Sequence, residues 1–112
     1  MTIAYQNILE LEERLYIALD VAERHRLLQL FLKELAKVAR DVEFATFTER
    51  RIADNSERCK RQRELVARLK HGGCETSDAY FQLVTLKTMA ALFGYHRALA
   101  RKILVCVVPR SN

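Results

Sequence analysis

The chain carries a run of positively charged side chains between Arg50 and Lys70. At about 100° per residue, five arginines of this run fall within roughly a third of a helix circumference: Arg50, Arg51, Arg58, Arg61 and Arg68. Guanidinium groups along one edge can bind successive phosphates, because each planar fork matches two phosphate oxygens and releases condensed counterions. The run therefore predicts a nucleic-acid-binding edge. The alternative is a solvated helix face on which Glu57 and Glu64 pair with arginines four residues later.

A second basic segment, 85–104, has Ala90 and Gly94 four residues apart and an aromatic residue on each side of the glycine. This pattern resembles a helix-turn-helix, and GYHRALARKIL is similar to the recognition helix of Fis-type nucleoid factors and related activator C-termini. The resemblance implies packing positions: Ala90, Phe93, Ala100 and Ile103. It also implies groove and backbone contacts: His96, Arg97, Arg101 and Lys102. The alternative is one uninterrupted buried helix in which Gly94 allows a neighbouring helix to approach closely.

The sequence shows no pattern of side chains arranged for catalysis. It has no nucleophile elbow, no phosphate-binding loop and no paired catalytic carboxylates. The acidic cluster of Glu10, Glu12 and Glu13 is expected near the exposed side of an amphipathic helix. His71 and Cys74 have the spacing of half a zinc site, but the chain lacks a second pair. We therefore expect a protein that is not an enzyme and that binds neither a cofactor nor a metal.

The apolar spacing that would position these side chains is helical. Ile8, Leu11 and Leu15 recur at steps of three and four residues, which predicts a first helix beginning near Thr2. Asp20 followed by Glu23 fits a capping box and favours a new helix there, although a continuous helix stays open as the alternative.

A wide apolar face continues through the middle of the chain. It repeats every seven residues at Leu28, Leu35 and Val42, and again at Ile52, Cys59 and Val66. Polar Asn55 and Gln62 take intermediate positions, where such side chains can fix the register or the partner of a coiled coil. A break or bend is expected in one of two places, 44–48 or 54–56, where cap formers or residues of low helix propensity cluster.

Glycine and proline mark the ends of the last two helices. His71, Gly72 and Gly73 are expected to close the long middle helix, since glycine adopts the left-handed cap conformation readily. The cap formers at 76–78 predict the start of a final helix that runs towards Val108 and stops at Pro109. The expected fold is all-α, a small bundle of three to four helices with a long central helical hairpin, in a single domain over residues 1–112. Long helices in a short chain expose apolar faces, so a homodimer or an obligate partner is expected.

Charge is distributed unevenly along the chain. Residues 1–43 hold six Lys/Arg and eight Asp/Glu, residues 44–73 hold eight and four, and residues 74–112 hold five and two, within a net charge of +5. This asymmetry indicates an anionic partner. We expect a cytoplasmic protein that does not cross a membrane, because no export signal is visible and the three cysteines are few and scattered.

Two functions are compatible with these features of the sequence. The leading hypothesis is a non-catalytic, nucleic-acid-associated helical protein, either a small regulator or a small subunit of a nucleoprotein complex. The alternative is a helical protein–protein interaction module, such as an adaptor, a chaperone or a small inhibitor of a larger complex. Binding to a membrane surface is less favoured, since the chain has no tryptophan to anchor at the interface.

Overall fold

The computed structural model describes residues 3–107, with side chains described through Lys102. This part of the chain forms four α-helices and no strand: α1 (Ile3–Ile17), α2 (Val21–Val38), α3 (Phe44–His71) and α4 (Ser77–Val107). The prediction of an all-helical bundle is confirmed. The predicted stop at Pro109 lies outside the described residues.

Asp20 separates α1 from α2 by a side-chain cap. Its backbone is extended, with φ −98° and ψ 133°, and its Oδ2 accepts a hydrogen bond of 2.9 Å from the backbone N–H of Glu23. The orphan amides of the first turn of α2 are thereby partly satisfied. The side chain of Glu23 pairs with Arg26, so the cap consists of the aspartate alone and not of the reciprocal pair that the sequence predicts.

The break between α2 and α3 lies earlier than either predicted position. Helix α2 ends at Val38 and α3 begins at Phe44, while residues 54–56 lie inside α3. Val42, which the seven-residue repeat places on the apolar face, is therefore in the connection and is 89% exposed. The repeat fails there because it assumes one continuous helix.

The connection between α3 and α4 follows the predicted glycine chemistry. The N–H of Gly72 donates to the carbonyl of Arg68, and Gly73 takes the left-handed conformation with φ 72°. The carboxylate of Glu75 accepts a hydrogen bond of 2.9 Å from the backbone N–H of Ser77. These contacts end one helix and begin the next within a few residues.

Aromatic rings from all four helices meet in the core. Tyr5 of α1 lies edge-on to Phe47 of α3 with ring centroids 4.7 Å apart, and Phe31 of α2 lies edge-on to Phe93 of α4 at 5.2 Å. Phe47 and Phe93 join the two pairs at 6.2 Å. Each such pair contributes about 0.5–1.5 kcal/mol beyond its burial. These rings therefore hold α1 against α3, α2 against α4, and α3 against α4.

The molecule is longer than a compact chain of its size. Its Cα radius of gyration is 16.4 Å and its extents are 63 × 27 × 20 Å, against about 13 Å for the radius of a compact domain of similar length. The elongation comes from the end where α3 and α4 join, since between Lys60 and Asp78 only Gln62 is buried. We call residues 60–70 of α3 the distal segment.

Candidate nucleic-acid interface

Arg51, one of the five predicted phosphate-binding arginines, forms an internal ion pair. Its Nε donates to both carboxylate oxygens of Glu12 at 2.9 and 3.1 Å, and its Nη1 donates to Asp54 at 2.6 Å. Glu12 is completely buried, and the side chain of Arg51 is 13% exposed. The expectation that Glu12 lies near the exposed side of its helix is wrong, because that side of α1 faces α3.

Burial and hydrogen bonding have opposite effects on the pKa of Glu12 in this ion pair. Burial raises the pKa of the Glu12 carboxyl, and the hydrogen bonds from Arg51 act in the opposite direction. The same hydrogen bonds raise the pKa of the Arg51 guanidinium. A buried pair of this kind contributes little net stability but becomes costly when one partner is removed. Arg51 therefore positions α1 on α3.

Arg58 is also engaged within the molecule. Its guanidinium pairs with Glu13 and lies 5.1 Å from the centroid of the Tyr16 ring. Both partners belong to the last turns of α1, and the Arg58 side chain is 25% exposed. Together with Arg51 it links α1 to α3 through long side chains, so both guanidinium groups already have carboxylate partners within the molecule.

The other three arginines of the predicted edge are exposed and have no ion-pair partner in the described part of the chain. Arg50, Arg61 and Arg68 form no ion pair among residues 3–107. Arg50 lies near the start of α3, beside a hollow that Tyr5 and Phe47 also line. Arg61 and Arg68 lie in the distal segment. The structure therefore leaves three of the five arginines of the predicted edge without an ion pair in the described part of the chain.

The distal segment carries the densest positive charge of α3. It contains five Lys/Arg side chains and one acidic side chain, Glu64. All five cations are exposed, and the described part of the chain offers none of them an ion-pair partner: Lys60, Arg61, Arg63, Arg68 and Lys70. The positive charge of this segment is therefore available to an outside anion.

The cations of the distal segment form two opposite edges. Arg61 and Arg68 are seven residues apart and share one edge, while Arg63 and Lys70, also seven residues apart, lie about 200° further round the helix. Between the edges, on the side of α4, lie the buried or half-buried side chains, which are Gln62, Leu65, Val66 and Leu69. The opposite side faces solvent, and there Lys60 and Glu64 are exposed.

Gln62 fixes how the distal segment sits on α4. Its buried Nε2 donates to the carbonyl of Ala79 at 2.8 Å and to Oε1 of Gln82 at 3.3 Å. The sequence predicts that this polar side chain sets the register or the partner of a coiled coil. In the structure Gln62 joins two helices of the same chain, α3 and α4. The hydrogen bonds orient both cationic edges away from α4.

Three cations of the distal segment, Lys60, Arg63 and Lys70, are absent from the edge that the sequence predicts. That prediction assumes one strip of arginines, and these three side chains lie outside the strip. The sequence does contain a signal for the two edges: Arg61 with Arg68, and Arg63 with Lys70, are each seven residues apart. The two pairs lie on either side of the apolar face that contains Val66. Recognising that signal requires knowing which face of α3 contacts α4.

The helix-turn-helix interpretation of residues 85–104 is wrong for this structure. Helix α4 runs without interruption from Ser77 to Val107, because good helix formers surround Gly94 and one glycine costs only about 1 kcal/mol in a helix. The alternative reason for Gly94 is not found either, since a Cβ atom there would meet nothing within 4 Å. The packing position predicted at Ile103 lies outside the described side chains.

The basic residues of that segment lie on α4 without forming a recognition helix. His96 and Arg97 are half-buried, and burial lowers the pKa of His96. Arg101 and Lys102 are exposed, and Nη2 of Arg101 lies 3.3 Å from Glu49 at the start of α3. The stretch from Glu49 to Arg63 measures about 20 Å along the helix. The structure therefore separates Arg101 from the distal segment, one towards each end of α3.

Neither a metal-binding cluster nor a membrane-spanning helix occurs in the described part of the chain. The described side chains, those of residues 3–102, contain no group of three or more His, Cys, Asp or Glu that could hold a metal ion. None of the four helices, as far as they are described, is long and apolar enough to span a membrane. No protein-family model, curated protein or solved structure matches the chain.

Proposed function

We propose that this is a non-catalytic protein that binds the phosphate backbone of a nucleic-acid duplex through the distal segment of α3. The observation that supports the proposal is the pair of opposite cationic edges, formed by Arg61 with Arg68 and by Arg63 with Lys70. None of these four side chains forms an ion pair in the described structure. Cations on both flanks of one helix suit a ligand that presents phosphates on two walls.

The dimensions of a helix agree with this mode of binding. An α-helix with its side chains is about 10–12 Å wide, and the major groove of a DNA duplex is about 12 Å wide. With the solvent-facing side of the distal segment in the groove, each cationic edge would lie along one phosphate strand. Such contacts position a protein on a duplex and carry little sequence information.

The remaining parts of the molecule have supporting roles in this proposal. In it, α3 and α4 would act as the long helical hairpin expected from the sequence, and α1 and α2 would support the other end of that hairpin. The protein would serve as a small regulator or a small subunit of a nucleoprotein complex in the cytoplasm. The homodimer expected from the sequence stays a prediction.

The test is fluorescence anisotropy of labelled DNA duplex, RNA duplex and single strands, titrated with the full chain at about 50 and 200 mM salt. We expect tighter binding to duplexes than to single strands and affinity that falls steeply with salt. Changing Arg61, Arg63 and Arg68 together to glutamine should lower the salt slope by about 2–3, since each lost phosphate contact removes about 0.9 from a DNA slope.

A matched variant controls for net charge. Lys33, Lys37 and Arg40 are cations at the far end of α2 or just beyond it, and their change to glutamine lowers the net charge by the same amount. We expect this variant to keep the salt slope of the unchanged protein. Equal losses in both variants, or no binding at about 50 mM salt, would show that the distal segment is not the interface.

A further inference from the structure

Helix α4 leaves an apolar stripe uncovered along its length. Four large side chains on it are exposed: Tyr80 at 58%, Val84 at 37%, Tyr95 at 62% and Leu99 at 40%. At about 100° per residue these four positions, with Thr88 and Ala91 between them, fall within roughly 100° of the helix surface. Exposed apolar side chains that are grouped in this way indicate a contact surface, whereas exposed apolar side chains that are scattered singly do not.

The stripe has cations beside it and almost no acidic residues. Lys87 and Lys102 on α4 are exposed. Arg101 is exposed as well and pairs with Glu49 of α3, and Asp78 is the only acidic residue of α4. At the start of the stripe, Arg24 of α2 lies 4.0 Å above the centroid of the Phe81 ring. Arg24 and Phe81 line an open hollow together with Tyr80 and Val84.

We propose that the α4 stripe binds an amphipathic helix of another protein whose apolar face is flanked by acidic residues. The apolar spacing matches the steps of three and four residues by which helices pack in grooves, and the flanking cations attract carboxylates and repel a second basic surface. This interaction uses side chains other than those of the distal segment, so it is independent of the nucleic-acid proposal.

The size and charge of the stripe argue against a second copy of this chain as the occupant. A stripe of about 20 residues is about 30 Å long and one helix wide, so it covers roughly 300–400 Å² of each partner, against about 800 Å² in a stable interface. Pairing two α4 helices would also bring cations together with no acidic residue between Asp78 and the end of the helix. A single acidic helix fits this surface better.

The experiment uses a synthetic helical peptide of about 20 residues with leucine on one face and glutamate beside it. Binding of the labelled peptide to the full chain is measured by anisotropy, and a peptide with lysine in place of glutamate serves as its control. We expect micromolar binding of the acidic peptide, at least tenfold weaker binding of the lysine peptide, and a weakening of at least tenfold in the Val84→Ser, Tyr95→Ser double variant.

Two further variants make the result specific. Leu30→Ser changes an apolar side chain of similar exposure on α2 and should leave the affinity for the peptide unchanged. Replacing Arg61, Arg63 and Arg68 by glutamine should also leave it unchanged, which separates this interaction from nucleic-acid binding. The proposal is overturned if neither peptide binds or if the Val84→Ser, Tyr95→Ser double variant binds as well as the unchanged protein. It is also overturned if sedimentation shows a dimer that this double variant loses.

Discussion

Glu12 on α1 and Arg51 on α3 are 39 residues apart in sequence and form a buried ion pair, with the Arg51 Nε 2.9 Å from the Glu12 Oε1. Arg58 adds a second link between the same helices through Glu13 and Tyr16. The structure thus uses two arginines to hold the molecule together, although the sequence groups them with the phosphate-binding residues.

The first prediction concerns the cost of breaking this pair. Arg51→Met should lower the free energy of unfolding by about 3–5 kcal/mol, because it leaves the buried carboxylate of Glu12 without its charged partner. Arg50→Met, a change at the neighbouring arginine, should alter it by less than about 0.5 kcal/mol. Urea unfolding at neutral pH measures both. Equal and small effects would mean that Glu12 is solvated or already protonated.

The second prediction concerns alkaline pH. Burial and the charge of Asp41, whose Oδ2 lies 3.3 Å from the Tyr5 hydroxyl, raise the pKa of Tyr5 from 10.0 to about 12. The folded state therefore holds the Tyr5 proton more tightly than the unfolded state. The resulting contribution to the free energy of unfolding is fully present below about pH 10 and is lost as the pH rises towards about 12. The loss should be about 2–3 kcal/mol.

Tyr5→Phe isolates this effect from other titrating groups. The variant should show a shallower fall in stability than the unchanged protein between about pH 10 and 12, measured by urea unfolding at several pH values. If both proteins lose stability in parallel over that range, Tyr5 ionises as freely in the folded state as in the unfolded one.

The third prediction compares two buried amides on the same face of α3. Gln62 is hydrogen-bonded to α4, whereas Oδ1 and Nδ2 of Asn55 have no partner among the described residues. Gln62→Ala should lower stability by about 1–3 kcal/mol because it removes two hydrogen bonds to α4, each worth about 0.5–1.5 kcal/mol. Asn55→Ala should cost less than about 0.5 kcal/mol or raise stability, since it removes an unpaired buried group.

Thermal unfolding of the two alanine variants tests this contrast. A larger fall in Tm for Asn55→Ala than for Gln62→Ala would contradict it. Such a result would indicate that the Asn55 amide is satisfied in solution by a bound water molecule.

The fourth prediction concerns two glycines with opposite roles. Gly94→Ala should stabilise the protein by about 0.5–1 kcal/mol, since alanine favours a helix interior and a Cβ there meets nothing within 4 Å. Gly73→Ala should destabilise it by about 1–2 kcal/mol, because φ at Gly73 is +72°. Differential scanning calorimetry measures both changes. A loss of stability in Gly94→Ala would favour a turn at that glycine in solution.

Features encoded by neighbouring residues could be predicted from the sequence. The Asp20 cap, the Gly72–Gly73 helix end and the buried α3 face containing Cys59 each depend on residues within one or two helical turns. Their physical causes, which are an orphan amide, a left-handed φ and a helical period of apolar side chains, act locally.

Features that depend on which helices meet could not be predicted in this way. The end of α2 at Val38 is not marked by glycine or proline. Residues that follow it make tertiary contacts instead: Phe44 is buried, and Asp41 accepts a hydrogen bond from the Tyr5 hydroxyl. In the same way, the sequence of α3 does not show which carboxylate Arg51 meets. Only the position of α1 makes Glu12 its partner.

The distal segment packs mainly against one neighbour, and this has a consequence for local stability. Of the side chains between Lys60 and Asp78 only Gln62 is buried, so this end can open without disturbing the aromatic core. Its amide hydrogens should exchange with solvent through sub-global opening, faster than those around Phe93. A ligand bound along the distal segment would close this opening and slow the exchange, which makes the amides of residues 60–70 a direct local reporter of occupancy.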